Sequence, residues 1–197
     1  MKPIQPIKKR WYHYLWIWSV FYFAMGFFNI IFAWLGLISF FLPFVFVIGF
    51  GTKDFCNKYC DRGQLLRVIG GQAGFSTGKL MPSWLRSSWF RYGFLTFFMS
   101  MFGQMLYTTY LVSAGTKELS EAVTLFWSIR VPWEWAYTAG SVEPWQAQFA
   151  FGLYSLMLTS AIIGILLMLL YKPRSWCAVC PMGTMTQVIC KVRNNNE

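Results

Sequence analysis

Residues 11–52 read WYHYLWIWSVFYFAMGFFNIIFAWLGLISFFLPFVFVIGFGT, a stretch of 42 positions without one Asp, Glu, Lys or Arg. One membrane-crossing helix takes roughly 20 apolar residues, so this stretch is long enough for two helices joined by a tight turn. Gly36, between Trp34-Leu35 and Leu37-Ile38, is the expected turn position. Two further charge-free runs, 92–116 and 144–171, are each long enough for one helix. The expected architecture is an all-α integral membrane protein, one membrane domain over residues 1–197. Its four transmembrane helices fall at about 13–34, 37–51, 90–112 and 148–171. The second is short and carries Pro43, which removes a helical hydrogen bond and predicts a kink, a tilt or a re-entrant segment.

Composition agrees. The chain is 56% hydrophobic, 21% aromatic and only 12% charged, with a mean hydropathy of +0.44, too apolar for a soluble domain of this size. Charge placement sets the orientation, because cytoplasmic loops carry an excess of Lys and Arg. With four spans, residues 1–10, 52–91 and 172–197 share one side and hold 15 of the 17 basic residues, whereas loop 117–143 has Lys117 and Arg130 against four glutamates. Both termini are therefore expected in the cytoplasm, and the protein in the cell's inner (cytoplasmic) membrane as a multi-pass chain. Residues 1–10 and the apolar run after them are read as a retained first helix, because the run is too long for a signal peptide and has no small-residue cleavage site. Orientation and anionic lipid headgroups account for the net charge of +10, and no basic recognition motif calls for nucleic acid.

Four of the five cysteines form two pairs, each just past the end of a predicted span: Phe55-Cys56-Asn57-Lys58-Tyr59-Cys60-Asp61-Arg62-Gly63 and Trp176-Cys177-Ala178-Val179-Cys180-Pro181-Met182-Gly183. The topology puts both cluster loops, 52–66 and 172–190, at one membrane face. Spacings of three and two intervening residues let each pair converge on one metal site, and four thiolates satisfy either a 4Fe-4S cube or tetrahedral zinc. The cube is favoured by the surroundings. Cys-Pro-Met-Gly and Cys-Asp-Arg-Gly are similar to the cysteine-proline turn of bacterial ferredoxins, Gly63 and Gly183 permit close backbone approach, and Lys53, Lys58, Arg62, Lys172 and Arg174 add positive potential.

Over roughly residues 50–190 the chain resembles the polyferredoxin-like membrane 4Fe-4S proteins with cysteine-proline motifs associated with nitrate and nitrous-oxide reductase systems, as a small stand-alone relative. The likeness rests on the two cysteine motifs, the first extended by Gln64-Leu65-Leu66 and the second by Thr184-Met185, and on Gly78-Lys79-Leu80-Met81-Pro82-Ser83-Trp84-Leu85-Arg86-Ser87. It implies a membrane-bound electron-transfer subunit of an oxidoreductase complex rather than a complete enzyme. Carried over by position, Cys56, Cys60, Cys177 and Cys180 are the ligands of one 4Fe-4S cluster per chain. It also implies a quinone as a second candidate cofactor, and another redox subunit or soluble carrier as partner. Two departures stand out. Asp61 occupies the position where the family usually has proline after the second cysteine, and these 197 residues hold no additional eight-cysteine ferredoxin segment.

Two rival readings use the same residues: a membrane thiol-disulfide oxidoreductase relaying electrons between the cysteine pairs, and a structural membrane subunit with a zinc site. A cytoplasmic location, where thiols are kept reduced, opposes the first. Cys190 is read as a spare buried thiol, with a substitute or fifth ligand as its alternative. The lone His13 cannot supply bis-imidazole haem ligation, and no catalytic acid-base pair is apparent. Trp127, Trp133, Trp135 and Trp145 are read as interface anchors or a quinone-contacting surface. The stretch Gly70-Gly71-Gln72-Ala73-Gly74-Phe75-Ser76-Thr77-Gly78-Lys79 departs from P-loop spacing and is read as a loop.

Overall fold

A computed structural model describes residues 11–51, 55–138, 140 and 142–194; Lys53 and Asp54 lie outside them. The chain is mostly helical. Helix α1 spans Trp16–Phe28, α2 Leu35–Phe50, α3 Asp61–Arg67, α4 Ser88–Ser113, α5 Pro144–Leu170, α6 Trp176–Val179 and α7 Pro181–Asn194. Strands β1 (Ala122–Leu125) and β2 (Ile129–Pro132) form an antiparallel hairpin inside the loop between α4 and α5, an element the sequence reading does not foresee.

The turn in the first apolar stretch falls at Asn29, not at Gly36. Asn29 adopts an extended backbone (φ −145°, ψ 118°), its amide nitrogen donates to the Met25 carbonyl, and its Oδ1 accepts from the Ile31 amide 3.0 Å away. The side chain thus caps the following helical segment, a role for which asparagine is well suited. Gly36 serves close packing instead: a Cβ there would lie 2.7 Å from the Tyr22 hydroxyl oxygen. Moving the turn lengthens the second segment, because a 3-10 turn over Ile30–Trp34 runs directly into α2. Ile30–Phe50, at 21 residues, and Pro144–Leu170, at 27, are each long and apolar enough to cross a membrane. Pro43 lies within α2, buried, where it leaves the carbonyl of residue 39 without its helical donor.

Helix α5 is the centre of the fold. It opens with Pro144 in its first turn and is buried along much of its length. Around one end gather Tyr22, Ile30, Ala33, Val123, Phe151 and Tyr154; around the other, Leu66, Phe98, Met101, Met168, Trp176 and Val179. Helix α4, capped by Ser87 whose hydroxyl accepts from the Phe90 amide, packs along it. The outer faces of α1 and α2 leave Ile17, Phe21, Phe28, Phe41, Val45 and Ile48 exposed.

The contact between α1 and α5 supports a stability prediction. A Cβ at Gly26 would stand 2.5 and 2.9 Å from ring carbons of Tyr154, whose hydroxyl donates to the Phe23 carbonyl at 3.1 Å and so holds the ring in place. Overpacking costs about 1–3 kcal/mol, more than the roughly 1 kcal/mol of helix propensity gained on leaving glycine. Gly26→Leu is expected to lower the thermal midpoint in detergent, and an unchanged midpoint would mean that the Tyr154 ring can swing aside.

Candidate metal centre

Both cysteine pairs are held at the starts of helices. Cys56 lies on a π-helical turn, Phe55–Tyr59, and Cys60 follows as the N-cap of α3; Cys177 lies on α6, and Cys180 ends that helix immediately before α7. The second cysteine of each pair is treated alike. Gly63 donates its amide to the Cys60 sulfur at 3.4 Å, and Gly183 donates its amide to Cys180. Helices α3 and α7 each begin one residue after that cysteine. Asp61 and Pro181 therefore occupy equivalent first-turn positions. Both residue types suit a helix start, proline because its missing donor is not needed there and aspartate because its charge opposes the helix dipole.

All four cysteines line one cavity of about 70 Å³. Gly63 stands between the pairs, since a Cβ built there would lie 3.6 Å from both the Cys60 and the Cys177 sulfur. The remaining wall includes Ser39 and Pro43 from the interrupted turn of α2, with Phe40, Phe55, Trp176 and Met182. Among the described residues, no three His, Cys, Asp or Glu side chains form a group that could hold a metal ion. The thiols surround a space rather than meet at a point.

The charged neighbours are fixed in place. Asp61 Oδ2 accepts from the Ser19 hydroxyl at 2.8 Å; Arg62 lines the cavity, with Nη1 donating to Ser160 Oγ at 2.7 Å and Nη2 directed at the Met157 sulfur. Arg174 Nη2 donates to the Cys56 carbonyl at 3.2 Å, and the Cys56 sulfur lies 3.6 Å from the Thr186 hydroxyl. Burial pushes the Cys60 thiol well up, with the Asp61 charge adding to it. Burial likewise raises Cys177, against the opposing pull of Arg174, and Cys180 to about 11. Without a cation burial favours the neutral form of these three thiols, and a bound metal would supply the positive charge that lets them ionise.

Cys190 does not line the cavity; its thiol donates to the Gly51 carbonyl at 3.5 Å. Lys58 and Lys172 are exposed. Thr186, Ser19, Ser160 and Met157 are neighbours that sequence reasoning missed, and none belongs to a motif that could have marked it. The Trp cluster lies elsewhere: the indole nitrogens of Trp133 and Trp135 both donate to the Phe27 carbonyl at 3.2 Å. Residues 70–79 clasp the end of α5, where the Thr77 amide donates to the Leu169 carbonyl at 3.1 Å.

Comparison with protein families shows that residues 155–196 are similar to the 4Fe-4S binding domain family. The match takes in Cys177 and Cys180 but not Cys56 and Cys60, and covers about a fifth of the chain. It supports an iron-sulfur, electron-transfer character for this segment. Comparisons with curated proteins and with solved structures returned no match.

Proposed function

We propose that the chain is a membrane-bound electron carrier holding one 4Fe-4S cluster on Cys56, Cys60, Cys177 and Cys180. The observation that carries this reading is the meeting of two cysteine pairs, 117 residues apart from Cys60 to Cys177, around one cavity, with the second pair inside the segment similar to iron-sulfur binding domains. The donor set fits the group. Four thiolates complete the ligands of such a cluster, and Gly63 leaves open the space between them.

Bound there, a 4Fe-4S cluster supplies a one-electron store. The chain's own residues do the rest. The Gly63 and Gly183 amides donate toward sulfur and the Arg62 guanidinium adds positive charge, so each favours the reduced state; the Asp61 carboxylate opposes them. Phe40, Phe55 and Trp176 keep water from the cavity wall. Asp61→Asn is accordingly expected to raise the reduction potential in a redox titration by roughly 60 mV, the one-electron equivalent of about 1.4 kcal/mol. No shift, or a fall, would remove Asp61 from the set of tuning residues.

The membrane setting rests on the two apolar helical stretches, the exposed apolar faces of α1 and α2, and the one-sided basic charge. Helices α4 and α5, at 26 and 27 residues, are about 40 Å long, more than the roughly 30 Å hydrocarbon core requires. In this reading four helical segments cross the inner membrane, the first being α1 extended by the 3-10 turn Trp11–Tyr14, with both termini in the cytoplasm and both cysteine loops entering from that side. Another redox subunit or a soluble carrier takes up the electron on that side.

A quinone fits as the partner within the bilayer. A second cavity of about 700 Å³, within the size range of organic ligand sites, is lined by Met101, Met105 and Leu156 together with Lys117, Arg130 and Gln148. Leu156 lines this cavity while the adjacent Met157 lines the cysteine cavity, so the two cavities lie on different sides of α5 at nearly the same level. The test is anaerobic: dithionite-reduced protein mixed with a soluble quinone should return one electron per chain. Thr108→Trp, which narrows the large cavity, is expected to slow that reaction about tenfold, some 1.4 kcal/mol of barrier. A protein that stores no electron would refute the carrier reading, whereas an unchanged rate in the variant would refute only the quinone's location.

A further inference from the structure

A third cavity, of about 380 Å³, opens between the first turn of α4 and helix α7. Its wall carries Arg91 and Lys191 with Ser88 and Gln187, and among the described residues no carboxylate lines it. We infer that this cavity binds a phosphate group, carried by an anionic phospholipid headgroup or free in solution. Two cations with no counter-charge among the described residues of the wall favour an anion. A guanidinium fork, an ammonium and a hydroxyl side by side suit an oxyanion with several acceptor oxygens.

The state of Arg91 points the same way. Its Nη2 donates to Gln187 Oε1, yet its Nε is buried with no hydrogen-bond partner among the described residues. A buried, charged donor left unmatched is costly, and an oxyanion offers acceptors to the guanidinium. Ser88 is the first residue of α4, so the open amide groups of a 26-residue helix add positive potential there.

The surroundings suit a lipid. Trp89, 89% exposed, and Trp84, 62% exposed, flank the same turn, and Val188 and Val192 present apolar surface along α7. Under the membrane reading this is the cytoplasmic interface, where indole rings and phospholipid headgroups share one level. The site also adjoins the metal centre, because Thr184 lines the cavity and donates its hydroxyl to the Cys180 carbonyl at 3.1 Å.

Native mass spectrometry of the intact, iron-loaded protein tests this, with phosphatidylglycerol, phosphatidylcholine and inorganic phosphate titrated in separate arms. Phosphatidylglycerol is expected to bind one per chain and about tenfold tighter than phosphatidylcholine, with a similar loss of affinity in the variant Arg91→Gln, Lys191→Gln. Lys191→Gln alone changes an exposed side chain, and Arg91→Lys keeps the charge but not the fork; each should weaken binding by a smaller factor without disturbing the fold. Substitution-sensitive binding in the phosphate arm alone would assign the site to free phosphate. Absence of one-to-one binding in every arm, or variants that bind like the parent, would overturn the inference.

Discussion

Cys60→Ser and Cys177→Ser, one from each pair, are each expected to reduce the iron of the anaerobically purified protein from about four per chain to less than one. A serine hydroxyl stays protonated where a thiol ionises, so each change removes a thiolate from a cavity that offers four. Using one cysteine from each pair matters, because only the second pair lies within the segment similar to iron-sulfur domains. If Cys177→Ser lost the iron while Cys60→Ser kept it, the first pair would not be a ligand. Cys190→Ser is the control: its sulfur faces the Gly51 carbonyl rather than the cavity, so iron should be retained.

Filling the space between the pairs should act almost as strongly. A side chain at Gly63 starts from a Cβ 3.6 Å from two of the sulfurs, so the branches of Gly63→Leu extend where a cluster would stand. All four thiols remain, yet iron per chain is expected to fall to below about a fifth of the parent's, since a packed interior has no spare volume for both. Gly93→Leu provides the comparison. Beyond the backbone of its own helix, a Cβ at that site on α4 meets nothing within 4 Å among the described residues, and the same enlargement there should leave iron content unchanged. Equal iron in parent and Gly63→Leu, by assay and visible absorbance, would mean that the cavity is not where the metal sits.

How far the sequence could be read follows from the kind of signal each element leaves. Helices α4 and α5 were legible from charge-free runs because a long apolar helix excludes charge from its middle, α4 carrying Arg91 only in its first turn. Within residues 11–52 that signal is continuous and cannot mark a turn, so the break had to come from local chemistry. Gly36 was the obvious glycine, but the deciding residue was Asn29, the one amide in the stretch, whose side chain replaces a backbone partner at the start of the next helix. The hairpin at 122–132 left little trace: its strands are four residues each, and its turn uses Phe126 and Trp127 at positive φ, where glycine or asparagine is usual.

The approach of the two cysteine pairs matches what the sequence led us to expect from the short spacing within each pair and from the expectation, set by the basic residues, that their loops share one side. The supporting residues were not legible in the sequence. Ser19 reaches Asp61 from 42 positions away, and Ser160 reaches Arg62 from 98. Such contacts depend on helix rotation and depth, which no local pattern encodes. Asp61 itself changed meaning: as a sequence it departs from the family's proline, whereas in the fold it shares with Pro181 the first position of a helix after a cysteine.

The central claim is one 4Fe-4S cluster on four cysteines, and metal analysis tests it most directly. The protein is purified anaerobically in detergent, assayed for iron, acid-labile sulfide and zinc per chain, and examined by EPR after dithionite reduction. The account predicts about four irons, four sulfides and a reduced-cluster signal integrating to one spin. One zinc without sulfide, or a metal-free protein whose thiols cycle to disulfides, would contradict it.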